Sequence, residues 1–93
     1  MHRVMVFYEE EPDADAYAGH AEVCRAVPNG VFRHGRVLGS PMGAQKHAYY
    51  AEWEFPDKDA FDAAVRSDEF AASGKDAAER GLPRPFAEFL EVE

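Results

Sequence analysis

The strongest constraint on the fold is a regular alternation of side chains between residues 47 and 55. Every second position carries an apolar or aromatic side chain, and these residues are Tyr49, Ala51, Trp53 and Phe55. The positions between them are Tyr50, Glu52 and Glu54. Successive side chains of a strand point to opposite faces, so a period of two predicts a β-strand over His47–Phe55 with one face toward a core.

Three further segments have the composition of strands. They are Val4–Tyr8, Val31–Leu38 and Phe86–Val92, and each is rich in β-branched or aromatic residues. The first ends at a charged stretch that contains Pro12, and the second ends at a loop rich in glycine and proline. Gly35, inside the second segment, predicts either a β-bulge or a close approach of the backbone.

Two segments between the strands have helical periodicity. In residues 13–27 one side of the helical wheel collects Ala16, Tyr17, His20, Ala21, Val23, Cys24 and Val27. The second helical region begins at the cap residue Asp57 and ends at Gly81. Ser67-Asp68, inside this region, predicts a second cap or a break.

The order β-α-β-β-α-β is that of the ferredoxin-like α+β fold. This fold is a four-stranded antiparallel sheet with two helices on one face, and we expect residues 1–93 to form a single domain. The third strand carries aromatic side chains on both faces, because Tyr50 points away from Tyr49 and Trp53. An apolar open face on a small domain favours a partner, so we expect a homodimer through the open sheet face.

Charge and cysteine content exclude several classes of function. Ten basic residues against 18 acidic residues leave a net charge of -8, which disfavours binding to nucleic acid and to anionic membrane surfaces. No apolar run approaches the roughly 20 residues of a membrane-spanning helix, and no signal peptide is apparent. The single cysteine, Cys24, forbids an intramolecular disulfide and a cysteine-rich zinc site. We therefore expect a cytoplasmic protein.

Several segments together resemble the EthD family of the dimeric α/β-barrel superfamily. They are Arg36–Pro41, Tyr49–Phe55 and the helical segment from Asp59 through Phe70, and the similarity extends from Val4 to Val92. His20, eight residues before Pro28, is similar to the histidine in the first helix of that family. The resemblance implies a dimeric barrel with oxidoreductase-like activity. Related barrels include monooxygenases that use no cofactor, decarboxylases and lactone isomerases.

His20 is the first candidate for catalysis. It lies within the apolar stripe of the first helix, where burying an unpaired imidazole costs about 1–3 kcal/mol. An imidazole has an ordinary pKa of about 6.5, which suits proton transfer near neutral pH. The sequence leaves two roles open for His20, a general acid or base facing a pocket and a core histidine with satisfied hydrogen bonds.

Cys24 lies one helical turn after His20 on the same face. This pair has the spacing of a nucleophile and its base, and also of two metal ligands. No spacing selects a third ligand among the remaining histidines, so we predict no metal site. The third possibility for Cys24 is a small buried thiol that packs in the core.

The predicted substrate site also includes residues from the strands. Tyr8 ends the first strand and is either a second catalytic residue, whose hydroxyl donates to a substrate oxygen, or a residue that only packs in the core. Trp53 and Tyr49 share one face of the third strand and are candidates for apolar walls. Phe32 and His34 share one face of the second strand, and together with Cys24 of the first helix they complete the predicted substrate-binding set. Arg36, also on that face, is either an anion-binding residue or a surface arginine.

The leading hypothesis is an EthD-like enzyme that needs no cofactor and acts on a hydrophobic or aromatic small molecule. Phosphate-binding loops, dinucleotide-binding fingerprints and serine-nucleophile motifs do not occur in the sequence, so we predict no cofactor. The alternative is a ligand-binding or accessory module without turnover that assists a separate monooxygenase or degradation pathway. A third hypothesis is an isomerase of lactones.

Overall fold

Seven elements follow one another in the computed structural model, which describes residues 1–93. They are β1 (His2–Tyr8), α1 (Ala14–Arg25), β2 (Val31–Arg36), β3 (Tyr49–Phe55), α2 (Lys58–Val65), α3 (Asp68–Glu79) and β4 (Phe86–Glu91). The predicted ferredoxin-like α+β order is confirmed. The second helical region consists of two helices, α2 and α3, so the sheet is covered by three helices.

The four strands form one antiparallel sheet in the order β2-β3-β1-β4. β1 and β3 are the central strands, whereas β2 and β4 are the edges. The pairing of β2 with β3 is continuous, and Gly35 lies opposite Tyr50 without an inserted residue. The sheet therefore contains no bulge at Gly35. β2 and β3 are each two residues shorter than predicted, because residues 37–48 leave the sheet as a loop.

Local sequence signals determine where the helices begin and end. The Asp13 side chain caps α1 by accepting a hydrogen bond of 2.9 Å from the Ala16 N–H. The helix ends at Arg25, before the predicted Val27, because a residue that precedes proline disfavours helical backbone angles. The Ser67 hydroxyl accepts a hydrogen bond of 3.1 Å from the Phe70 N–H and caps α3, which confirms the predicted second cap.

The core lies between the helices and one face of the sheet. Its fully or almost fully buried side chains include Val4, Ala51 and Phe55, from neighbouring positions on β1 and β3. The predicted face of α1 is also buried, since Tyr17, His20, Ala21 and Cys24 all point into this layer. β4, in contrast, is exposed along its whole length. The helical layer thus leaves one edge of the sheet uncovered.

The opposite face of the sheet has no helix over it. Ion pairs cross this face, with Arg3 3.0 Å from Glu54 and Arg33 3.2 Å from Glu52. At its β4 edge, Phe86 is 59% exposed and Leu90 is 40% exposed. No helix of the structure has the length and apolar character that crossing a bilayer requires.

Candidate active site

A cavity of about 290 Å³ lies between the sheet and the helices. Its lining is mostly apolar and includes Val4, Val6 and Ala51 from the sheet. Its lining also includes Ala77 of α3 and Phe89 of β4, the edge strand that no helix covers. Ligand pockets commonly measure about 300–1,000 Å³, so this space suits a small molecule of one or two rings.

His20 lines this cavity and is held by a carboxylate from another helix. Its Nδ1 lies 2.8 Å from Oδ2 of Asp76 on α3, and only 4% of His20 is exposed. Arg80 donates from Nε to the same Asp76 oxygen at 2.8 Å. Although desolvation acts to raise it, the hydrogen bonds from His20 and Arg80 lower the pKa of Asp76 below its usual value of 3.8. Asp76 is therefore an ionised acceptor for the Nδ1–H of His20 at neutral pH.

The Cys24 thiol forms a hydrogen bond with the other ring nitrogen of His20. Its Sγ lies 3.2 Å from His20 Nε2, and the residue is completely buried. Burial, followed by the negative charge of Asp76, raises the pKa of the Cys24 thiol to about 12. The thiol is therefore protonated at neutral pH and donates its S–H to Nε2. This arrangement opposes the nucleophile role, because only a thiolate attacks well.

Two tyrosine hydroxyls meet in the same cavity. The hydroxyl oxygens of Tyr8 and Tyr17 lie 3.3 Å apart, and each residue is only 2% exposed. Their rings cross edge to face with centroids 5.7 Å apart. Tyr17 also packs edge to face against His20, so the tyrosine pair lies beside the imidazole.

Aromatic side chains form one wall of the cavity. Phe32 and Trp53 both line it, and their ring centroids are 5.0 Å apart. The Trp53 indole N–H donates to the backbone carbonyl of Cys24 at 2.9 Å, which anchors β3 to α1. The indole thus lines the apolar space with its polar atom satisfied.

Tyr49 and His34 lie outside this cavity, on the other side of Tyr17. The Tyr49 hydroxyl lies 2.6 Å from His34 Nδ1, and both residues line a separate, more polar hollow. Burial, with a smaller effect from the positive charge of Arg25, lowers the pKa of His34. Arg36 lies at the same hollow and pairs with Glu11 at 2.6 Å on the surface.

The structure thus brings together five of the seven predicted site residues. They are Tyr8, His20, Cys24, Phe32 and Trp53. Sequence reasoning missed Tyr17, Asp76 and Arg80 as members of the site. One signal for Asp76 and Arg80 was present in the sequence. They are four positions apart, which brings an acidic and a basic side chain together on a helix that also carries the apolar Phe70 and Ala77. The structure describes no cluster of side chains suited to a metal ion.

The chain is similar to solved structures over its whole length. A solved structure of an EthD (ethyl tert-butyl ether) family protein from Bacillus halodurans C-125 is 30% identical to this chain. The match covers 100% of this chain and 99% of the other, with a TM-score of 0.76. The chain belongs to the EthD family.

Other structures share the fold of this EthD-family chain at lower identity. A dimeric ferredoxin-like protein of unknown function from Jannaschia sp. CCS1 is 20% identical, with 98% of each chain covered and a TM-score of 0.71. SnoaB, a cofactor-independent oxygenase from Streptomyces nogalater, is 21% identical, with 98% of this chain and 90% of its own covered and a TM-score of 0.58. No protein-family model matches the chain, and no curated protein matches it either.

Proposed function

We propose that this EthD-family protein is an enzyme that needs no cofactor and removes a proton from a small apolar molecule. The substrate class is a hydrophobic or aromatic compound with a C–H or O–H acidified by a nearby carbonyl group. The observation that carries the proposal is the His20–Asp76 pair of 2.8 Å at the wall of a mostly apolar cavity. An oriented imidazole in such a place is the arrangement expected of a general base.

The hydrogen bonds around His20 favour this role. The Asp76 carboxylate accepts from Nδ1–H, which leaves the lone pair of Nε2 as the base. In the structure this lone pair accepts the S–H of Cys24, and a thiol is a weak donor. A substrate proton close to Nε2 can therefore displace the thiol. Once Nε2 is protonated, the negative charge of Asp76 stabilises the imidazolium ion.

The product of this step is a carbanion, enolate or phenolate, and two reactions are open to it. It can be protonated at another atom, or it can transfer electrons to molecular oxygen and become oxygenated. The last of these would make the protein an oxidoreductase, and SnoaB, which shares the fold, is a cofactor-independent oxygenase. The apolar lining supports each reaction, because electrostatic effects are stronger where water is excluded.

The proposal includes a homodimer formed through the open sheet face. Apolar side chains at the edge of this face, Phe86 and Leu90, are exposed in one copy of the chain. A structure of the same fold, from Jannaschia sp. CCS1, is described as dimeric. The single unpaired Cys24 supports a cytoplasmic site of action, where thiols stay reduced.

A second candidate function is a ligand-binding module without turnover. The observation that favours it is that both nitrogens of His20 already have partners, Asp76 and Cys24. On this hypothesis the imidazole is a structural link between α1 and α3, and the cavity holds a hydrophobic metabolite.

Hydrogen–deuterium exchange of 2-tetralone separates the two candidates. This bicyclic ketone has an acidic C–H next to its carbonyl, and removal of that proton is followed by uptake of a deuteron from D2O. We expect the protein to accelerate exchange, and His20→Gln to lower that acceleration by about 10²–10⁴-fold. His47→Gln, in a loop away from the cavity, is the matched control.

Binding is measured in the same samples from the fluorescence of Trp53, the only tryptophan. Binding of 2-tetralone without faster exchange would support the module without turnover. If His20→Gln accelerates exchange as much as the wild type does, His20 takes no part in the mechanism. If the protein neither binds 2-tetralone nor accelerates its exchange, the proposed substrate class is contradicted.

A further inference from the structure

The hydrogen-bond donors of the apolar cavity leave one proton without an acceptor in the protein. The Trp53 N–H donates to Cys24 O at 2.9 Å, and the Ser73 hydroxyl donates to Phe70 O at 2.6 Å. The Cys24 thiol donates to His20 Nε2, and the Nδ1–H of His20 donates to Asp76. The remaining side-chain donors are the hydroxyls of Tyr8 and Tyr17, which have only each other as partners.

Two hydroxyls that share one hydrogen bond have one proton to spare. Each phenol carries a single proton, so either Tyr8 donates to Tyr17 or the reverse, and the accepting residue keeps an unused O–H. Burial is the main cause that raises the pKa of both phenols, so both stay protonated at neutral pH. Their separation of 3.3 Å is also longer than the common O–H···O distance of about 2.7–2.8 Å. The bond between them is weak, and a third oxygen can compete for either proton.

From this count of donors we infer that Tyr8 and Tyr17 together form a binding site for one carbonyl or enolate oxygen of the ligand. A hydroxyl in this apolar cavity needs an acceptor for the spare proton, and a ligand that fills the cavity must supply that acceptor. A ligand without an oxygen leaves a buried O–H unsatisfied, which is unfavourable. The inference rests on the proposed function, which supplies the apolar ring of the ligand. It adds that this ring must carry a carbonyl or enolate oxygen.

The shared proton gives this site an unusual signature in mutants. When one tyrosine is replaced by phenylalanine, the other keeps its O–H and no longer has a tyrosine partner that accepts it. Either hydroxyl alone can therefore serve the ligand, since both residues line the cavity. Only the loss of both removes the oxygen site, whereas a site that depended on one fixed hydroxyl would be lost in one single variant.

The test compares 2-tetralone with tetralin, which has the same two rings without the oxygen. The measured quantity is the ratio of the tetralin Kd to the 2-tetralone Kd, read from Trp53 fluorescence in each variant. We expect Tyr8→Phe and Tyr17→Phe each to change this ratio by about twofold or less. The double variant Tyr8→Phe/Tyr17→Phe should lower the ratio about tenfold, the range of one neutral hydrogen bond.

Controls separate this inference from folding and from the proposed function. Tyr50→Phe removes a hydroxyl from the opposite side of the sheet and should leave the ratio unchanged, and circular dichroism checks that each variant folds. Three results would overturn the inference. They are an unchanged Kd ratio in the double variant, the whole tenfold fall of the ratio in one single variant, and no binding of either compound by the wild type. The ratio requires no turnover, so a failed exchange assay with the expected ratios would refute the proposed enzyme and leave the oxygen site standing.

Discussion

The Nδ1 atom of His20 lies 2.8 Å from Oδ2 of Asp76, although 56 positions separate the two residues in the chain. This contact joins the middle of α1 to the second half of α3 and places an ionised carboxylate behind the imidazole. Arg80 binds the same carboxylate oxygen from the outer side. The two helices are thus connected by a charged group at the point where the apolar cavity has its only imidazole.

The first prediction concerns the charge of Asp76. Asp76→Asn keeps the size of the side chain but removes the negative charge that stabilises protonated His20. We expect the acceleration of 2-tetralone exchange to fall at least about tenfold, with little change in the Kd of 2-tetralone. Asp62→Asn, which removes a surface carboxylate paired with Lys58, is the matched control. An equal loss in both variants would show that the effect is not specific to His20.

The second prediction concerns stability in acid. The hydrogen bonds from His20 and Arg80 lower the pKa of Asp76 in the folded state below the ordinary value of 3.8, which applies in the unfolded chain. The unfolded chain therefore binds more protons in this range, and the free energy of unfolding falls as the pH falls through the lowered pKa. We expect the difference in unfolding free energy between wild type and Asp76→Asn to shrink as the pH falls below about 4, where the Asp76 carboxylate gains its proton. Urea denaturation at a series of pH values measures it, and a difference independent of pH would contradict the prediction.

The third prediction concerns the thiol of Cys24. Its folded-state pKa of about 12 lies above the ordinary value of 9.0, so ionisation favours the unfolded chain. Its contribution to stability is complete below the unfolded pKa and is lost as the pH rises above it. We expect the free energy of unfolding to fall above about pH 9 in the wild type and to fall less steeply in Cys24→Ala.

The same thiol should be inert in the folded protein. Reaction with a disulfide reagent at pH 8 should proceed no faster than unfolding, because the residue is 0% exposed and protonated. Cys24→Ala should keep the exchange activity within about tenfold, since the thiol supplies only a weak hydrogen bond to His20. Complete loss of activity in Cys24→Ala would restore the nucleophile hypothesis.

The fourth prediction compares two helical glycines. A Cβ atom on Gly19 would lie 2.8 Å from Cζ of Arg80, the guanidinium group that binds Asp76. A Cβ atom on Gly74 would meet no atom within 4 Å. Alanine favours a helix over glycine by about 0.8–1.0 kcal/mol, so we expect Gly74→Ala to stabilise the protein by roughly that amount. Gly19→Ala should gain less or lose stability, because Arg80 must move. Urea denaturation measures both changes in the free energy of unfolding. Equal gains in stability would refute the conclusion that Gly19 leaves room for the Arg80 guanidinium.

The fifth prediction concerns the dimer. Phe86 lies opposite Phe7 on the open sheet face and is 59% exposed in one copy of the chain. A glutamate at this place would put a charge into the proposed interface, so we expect Phe86→Glu to be a monomer in native mass spectrometry and the wild type a dimer. Ala72→Glu, at an exposed position of α3, is the control and should remain a dimer. A monomeric wild type would refute the proposed interface.

Patterns within short segments were enough to predict the elements of this fold. The alternation in residues 49–55 and the apolar stripe of α1 report which side of an element is buried, because burial follows the geometry of a single strand or helix. Capping side chains act over three residues, so Asp57 and Ser67 marked the starts of α2 and α3 correctly. The order of these elements then led to the ferredoxin-like fold.

The site depended on distances that no local pattern contains. His20 and Cys24 are neighbours on one helix, and their proximity was predictable from the helical repeat. The contacts of His20 with Asp76 and of Tyr8 with Tyr17 depend on how α1 packs against α3 and β1. Packing places these side chains within ångströms of each other, whereas periodicity reports only that each one is buried. The sequence alone therefore determined the fold and identified a candidate base, and the tertiary structure decided which groups surround it.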